Sequence, residues 1–234
     1  VIQISNRLKT VADMVSPGLC PVDVGTDHGY VPLYLIYNHR VDHALAMDIN
    51  EGPLLKAREN IRRHGFESKI TVRLSDGLDA LGPHEADSLI IAGMGGILME
   101  QILERAKDRG QLGDFKEMIL SPHSDLDRVR KAAHRLNFAI DMEQMLVDGG
   151  KYYTVIHCVP GNQRYDREED YIYGKYLLEH KNPVLKDYLS DQIRVRRHRY
   201  EQVSRMDTPG AKAYVPCLQE EIRRLEDLLK ECML

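Results

Sequence analysis

The segment Val22-Asp23-Val24-Gly25-Thr26-Asp27-His28-Gly29-Tyr30 ends an apolar run and leads into a helical pattern. Gly25 and Gly29 allow the chain to turn sharply and to approach a ligand in the crevice at the carboxyl ends of parallel strands. Asp23 and Asp27 select that ligand. A pyrophosphate is repelled by carboxylates beside the turn, whereas S-adenosylmethionine brings an α-amino group and a sulfonium, both cationic. The spacing also departs from G-x-G-x-x-G. A turn with a purely structural task has the same glycine content, so this segment alone leaves both readings open.

Two further acids end later apolar runs. Met47-Asp48-Ile49-Asn50 places Asp48 nineteen residues after Gly29, where a carboxylate accepts both hydroxyls of an adenosyl ribose. That position suits S-adenosylmethionine and NAD equally. Asp76, in Ser75-Asp76-Gly77, follows the third run and is placed to bond an adenine amino group. Any one of these resembles a loop-capping aspartate; at successive strand ends they mark a nucleoside-binding edge.

Ala92-Gly93-Met94-Gly95-Gly96 bares backbone where an acceptor meets the donor, or else serves tight strand-to-helix packing. No Asn-Pro-Pro-Tyr and no cysteine stands there. The acceptor expected is therefore already a good nucleophile that needs positioning more than activation.

The elements that must hold these residues are legible as short Val/Ile/Leu-rich runs: Val22 to Val24, His43 to Met47, Ile70 to Leu74, Ser88 to Ala92 and Met118 to Leu120. Helical spacing fills most intervals, as in Pro53 to Arg63 and Gly95 to Lys107. Runs this apolar fit a parallel sheet covered on both faces. Ala139 to Leu146 and Tyr152 to Val159 are joined by Asp148-Gly149-Gly150, a tight-turn signal, so they form an antiparallel hairpin at one sheet edge. A seven-strand sheet closed this way differs from the all-parallel order of dinucleotide-binding dehydrogenases. The fold expected is an α/β, Rossmann-like class I methyltransferase domain over residues 1–160, with the last strand antiparallel. After Pro160 the β character ends, and residues 161–234 read as a polar linker followed by two antiparallel, coiled-coil-like helices. Asn182 and Pro183 start the longer helix, and Asp207-Thr208-Pro209-Gly210 separates the pair.

The chain has 234 residues, 43% hydrophobic and 29% charged, values typical of folded proteins and far from those of disorder. No apolar window is long enough to span a membrane, and no export segment is visible. The four cysteines are too scattered for a zinc site or a disulfide framework. These features fit a cytoplasmic protein, expected to be monomeric, without membrane or metal. Net charge is −4, all of it from residues 1–160, whereas Lys181 to Met206 carries a local excess of +4. Arg194, Arg196, Arg197 and Arg199 in that stretch form either a solvated helix surface or an electrostatic footprint for nucleic acid.

The sequence resembles the bacterial tRNA adenine-N1 methyltransferases of the TrmK type, which modify adenine 22, over nearly its whole length. The resemblance rests on Ile4-Ser5-Asn6-Arg7-Leu8, the Asp23 to Pro32 stretch, Asp76-Gly77, Ile91-Ala92-Gly93-Met94-Gly95-Gly96, Asp148-Gly149-Gly150-Lys151-Tyr152-Tyr153 and the helical appendage. The family turn is more often Gly-Ser-Asp-His-Ala-Tyr, here Gly25-Thr26-Asp27-His28-Gly29-Tyr30. The resemblance implies S-adenosylmethionine as cofactor and tRNA as partner, with the appendage helping to hold the RNA. Adenine N1 carries an in-plane lone pair and no proton, so no general base is needed, but the base must leave its paired or stacked state. On this reading Arg7 meets the methionine carboxylate or a phosphate, and the cofactor set is Arg7, Asp23, Gly25, Asp27, His28, Gly29, Asp48, Ile49, Asn50, Asp76, Gly77, Gly93, Met94 and Gly95. Tyr30 stacks on the base, while His28, Met94 and His123 line the acceptor side. Each also has a purely structural reading. The competing functions are an S-adenosylmethionine-dependent methyltransferase acting on another RNA or a small molecule, a nicotinamide-dependent oxidoreductase, and a non-catalytic RNA-binding protein that keeps the fold.

Overall fold

The computed structural model describes residues 2–232. Two compact units divide the chain, one ending at Ile172 and one starting at Tyr173. The first is built on a single sheet of β1 (Pro21–Val24), β2 (Ala44–Asp48), β3 (Ile70–Leu74), β4 (Ser88–Ala92), β5 (Glu117–Ser121), β6 (Phe138–Asp148) and β7 (Lys151–Pro160). Its order is β3-β2-β1-β4-β5-β7-β6. The first five strands pair in parallel, and β7 runs antiparallel to both β5 and β6. The nicotinamide alternative called for an all-parallel order, which this sheet does not have.

Strand residues alternate between two buried layers. Leu89 and Ile91 pack with α4 (Gly96–Asp108) and α5 (Leu126–Arg135). Ile90 packs with α1 (Asn6–Met14), α2 (Tyr30–Tyr37) and α3 (Glu51–His64). A sheet covered on both faces leaves only its strand ends open, so the parallel strands deliver their C-terminal loops to one common edge.

The unit boundary falls after Ile172 rather than at Pro160. Residues 161–172 are polar enough to read as a linker, yet Tyr165 and Tyr171 are buried in the α4–α5 layer. Gln163 Oε1 accepts the Ile140 N–H at 2.8 Å and lies 3.0 Å from His134 Nε2. His134 therefore donates there and accepts from the Tyr171 hydroxyl at Nδ1, 3.1 Å away. Arg130, 1% exposed, pairs with Glu143 at 2.8 Å and donates to the carbonyls of Tyr171 and Ile172. A buried charge so enclosed fixes the segment that encloses it.

The second unit holds α6 (Lys175–Glu179), α7 (Pro183–Ser204) and α8 (Pro209–Glu231). Asn182 Oδ1 accepts the N–H groups of Val184 and Leu185, and Pro183 occupies the first helical turn. Thr208 caps α8 in the same way. Leu185, Leu189 and Ile193 of α7 are buried, as are Leu218, Leu225 and Leu228 of α8.

Candidate active site

The turn after β1 is hung on β2: the N–H groups of Gly25 and Thr26 both donate to the Met47 carbonyl, at 2.8 and 2.9 Å. Ser75 N–H donates to the Asp48 carbonyl at 2.9 Å, which brings the ends of β1, β2 and β3 to one edge. There Arg7, Asp23, Gly25, Asp27 and Tyr30 line a cavity of about 70 Å³ together with Leu8, Val31 and Ala92. The first five are all residues singled out from sequence.

Arg7 reaches this cavity from α1. Its own N–H is held by Asp148 Oδ2 at 3.0 Å, and its guanidinium lies over the Tyr153 ring, 5.4 Å from the centroid. Nη1 is buried without a hydrogen-bond partner among the described residues. Asp23 is 6% exposed. Burial pushes its carboxyl up to about 6; the Asp48 and Asp27 charges add to this and Arg7 opposes it. One cavity thus presents an unpartnered cation and a buried carboxylate. These are the complements of an α-amino acid zwitterion, which is the methionine end of S-adenosylmethionine.

Gly25 has φ +75°, and a Cβ there would stand 2.1 Å from Met94 Cε. A side chain there would force the flexible end of Met94 to move, and the left-handed backbone itself favours glycine. Gly93, at φ +89°, lies between Arg7 and His123: a Cβ on it would meet the Arg7 guanidinium at 3.7 Å and His123 Cε1 at 3.9 Å. Along β2's end, Asp48 Oδ1 accepts the Asn50 N–H at 2.7 Å, and Ile49 is 59% exposed, an apolar surface suited to a ring face.

Beyond the β1 turn, His28 and Tyr30 stack with ring centroids 5.3 Å apart and planes 10° from parallel. His28 Nε2 is 3.1 Å from Asp27 Oδ1, and its carbonyl accepts from Asn60 Nδ2 at 3.0 Å. His123 is anchored by its N–H to the Met94 carbonyl at 2.8 Å, with its ring 5.6 Å from that of Tyr153. Burial, aided by the Arg7 and Lys151 charges, holds the His123 imidazole below its ordinary value, so it is neutral at pH 7.

Several candidates have other tasks. Gly29, at φ +69°, caps α2, and a Cβ on it would press Ala57 Cβ of α3 at 3.2 Å. Gly77 packs against Ile102 of α4 at 3.1 Å by the same measure. Both positions let a helix pack close to the turn. Gly95 is the N-cap of α4. Asp76 is gripped by Arg105, at 3.0 and 2.7 Å, which leaves only its outer lone pairs for an adenine amino group. Sequence reading passed over Tyr153 as a site residue, although the Asp148-Gly149-Gly150-Lys151-Tyr152-Tyr153 motif that carries it was in view.

The arginines of α7 do not form a free basic face. Arg196 donates to Glu221 at 3.0 Å and Arg197 to Glu226 at 2.6 Å, both on α8. Arg199 lies over the Tyr214 ring at 5.3 Å. Arg194 pairs with Asp191 on its own helix. A larger cavity, about 630 Å³, sits at the C-terminal end of α5, the edge of the sheet opposite the site. Its Lys131, Arg135 and Arg167 are already paired with carboxylates. Among the described residues there is no cluster of His, Cys, Asp and Glu fit for a metal, and no helix long and apolar enough to cross a membrane.

A family model described as a methyltransferase domain matches residues 4–156. The tRNA (adenine(22)-N(1))-methyltransferase of Bacillus subtilis (strain 168) is 32% identical, over 97% of this chain and 98% of its own. Among solved structures, the B. subtilis m1A22 tRNA methyltransferase TrmK superposes with a TM-score of 0.82 at 31% identity, covering 98% of this chain and 100% of that one. Streptococcus pneumoniae Sp1610, solved in complex with S-adenosyl-L-methionine, gives 0.84 at 30% identity over 97% of this chain and 100% of that one. The sheet order, the zwitterion-complementary cavity and these full-length likenesses agree: the chain belongs to the tRNA (adenine(22)-N(1))-methyltransferase family.

Proposed function

We propose that this protein methylates N1 of adenine 22 in tRNA, the reaction for which its B. subtilis relative is named. The observation that carries the reading is the Arg7–Asp23 cavity, with a buried Nη1 that no group among the described residues satisfies. When bound, S-adenosylmethionine supplies an electrophilic sulfonium methyl, which the in-plane lone pair of N1 attacks as the carbon–sulfur bond breaks.

The chain's own residues then bind and orient. Arg7 takes the methionine carboxylate, and Asp23 and Asp27 take the cationic end. Asp48 accepts the ribose hydroxyls, and Ile49 covers a face of the adenosine. Tyr30, stiffened by its stack on His28, offers a ring face to an unstacked base. His123, neutral and anchored beside Met94, accepts from the exocyclic amino group that neighbours N1. Because N1 has no proton to lose, geometry and charge complementarity do the catalytic work. Arg194, Arg196, Arg197 and Arg199 of α7 would meet RNA phosphates only by exchanging the side-chain partners that they hold in the free protein.

Calorimetric titration separates this from the nicotinamide reading. S-adenosylhomocysteine should bind and NAD should not; NAD binding with no response to S-adenosylhomocysteine would overturn the assignment.

A further inference from the structure

The β6–β7 turn carries Lys151, to which the reading of the cofactor site gives no role. Asp148 pairs with Lys151 across a two-residue turn. Gly149 and Gly150 have φ +56° and +75°, the paired left-handed conformations that match a hairpin's twist and that glycine adopts most readily. Because β6 runs parallel to the first five strands, this turn lies at the same edge as the loops after β1, β4 and β5. It is also tied to α1, since Asp148 holds the Arg7 N–H.

Residues two apart on a strand share a face. Lys151 therefore shares the face of Tyr153, whose ring meets Arg7 and His123. The Lys151 charge is felt at the His123 imidazole, which agrees with that placement. Lys151 itself is exposed and has no ion-pair partner among the described residues. The arginines of α7 differ in this respect, each being engaged with a side chain of α7 or α8. An uncommitted ammonium at the rim of a reaction site, in a region whose net charge is −4 over residues 1–160, is a local attractor for one phosphate.

We propose that Lys151 is a positioning residue that grips a backbone phosphate next to the target adenine, so that the β6–β7 turn sets where the flipped nucleotide stops. The inference rests on tRNA being the substrate. A fixed turn gives the contact register as well as attraction, because the lysine's Cα is held by the glycine pair on one side and the sheet on the other.

The test compares wild type, Lys151→Gln and Lys151→Arg in binding to an unmodified tRNA transcript, across salt from about 50 to about 200 mM. Steady-state methylation is followed in parallel. Removing one phosphate contact should reduce the slope of log affinity against log salt by about 0.7–0.9. Lys151→Gln should show that loss and a raised KM for tRNA, with S-adenosylhomocysteine affinity unchanged, which also reports that the variant is folded. Lys151→Arg should restore the slope. An unchanged slope and KM in Lys151→Gln would overturn the role of Lys151 while leaving the tRNA assignment in place. Absence of tRNA methylation by the wild type would instead overturn the substrate reading on which the role depends.

Discussion

The guanidinium of Arg7 stands 5.4 Å from the centroid of the Tyr153 ring and keeps Nη1 buried with no hydrogen-bond partner among the described residues. The ring face supports the cation from one side, leaving the unpaired nitrogen for an anion. An unmade buried donor costs about 1–3 kcal/mol, more when charged, so the arrangement is explained by a ligand that completes it.

Arg7→Ala should weaken S-adenosylhomocysteine binding by about 1.5–3 kcal/mol, roughly 10–100-fold, the value of a hydrogen bond to a charged group. Calorimetry measures this directly. Unchanged affinity would remove Arg7 from the cofactor site.

Cofactor affinity should depend on pH through Asp23. A carboxyl raised to about 6 is ionised at pH 7.5 and loses its charge on acidification. Because the cationic amino group binds the ionised form, affinity should be flat above pH 7 and fall tenfold per pH unit well below 6. Asp23→Asn should abolish that dependence. The same substitution should stabilise the ligand-free protein at neutral pH by roughly 1–3 kcal/mol, because a raised folded pKa destabilises the fold as pH rises from about 4 through 6. A stability gain that persists at pH 3 would contradict this.

Gly25→Ala introduces a Cβ that would lie 2.1 Å from Met94 Cε, at a backbone φ of +75°. Binding of S-adenosylhomocysteine should fall more than about tenfold, with about 1–2 kcal/mol lost from stability for the left-handed residue alone. Adding Met94→Ala should relieve the clash but not the backbone strain. Full recovery in the double variant would show that strain plays no part.

Arg196→Ala and Arg197→Ala should each lower hairpin stability by about 0.2–1 kcal/mol, since each removes a largely exposed pair between α7 and α8. Thermal unfolding followed by circular dichroism is the readout. Exchanging the charges, Arg196→Glu with Glu221→Arg, should restore stability; no recovery would mean that the pair is not formed.

How much of this was legible depended on whether the deciding partner was close in sequence. The β strands, the Asp-Gly-Gly turn and the Asn182 cap are short-range signals, and the structure places each where its residues indicate. Asp23, Gly25 and Asp27 could be read because one turn carries them all. Asp76 could not be read fully, since its partner Arg105 lies 29 residues away on α4. The packing of Gly29 on α3 and of Gly77 on α4 was not legible, because sequence does not display the helix each one meets. The α7 arginines looked free because the register that sets Glu221 and Glu226 opposite them is a tertiary fact. Residues 161–169 looked like linker because the burial of this stretch and the residues after it depends on two tyrosines and on an Arg130 and His134 supplied by α5.

The central claim is the transfer of a methyl group to N1 of tRNA adenine 22. Purified protein is incubated with S-adenosylmethionine and an unmodified tRNA transcript, and the RNA is digested and resolved by nucleoside mass spectrometry. 1-Methyladenosine should form and should disappear when adenine 22 alone is replaced by guanine. No methylated nucleoside, from protein that still binds S-adenosylhomocysteine, would contradict it.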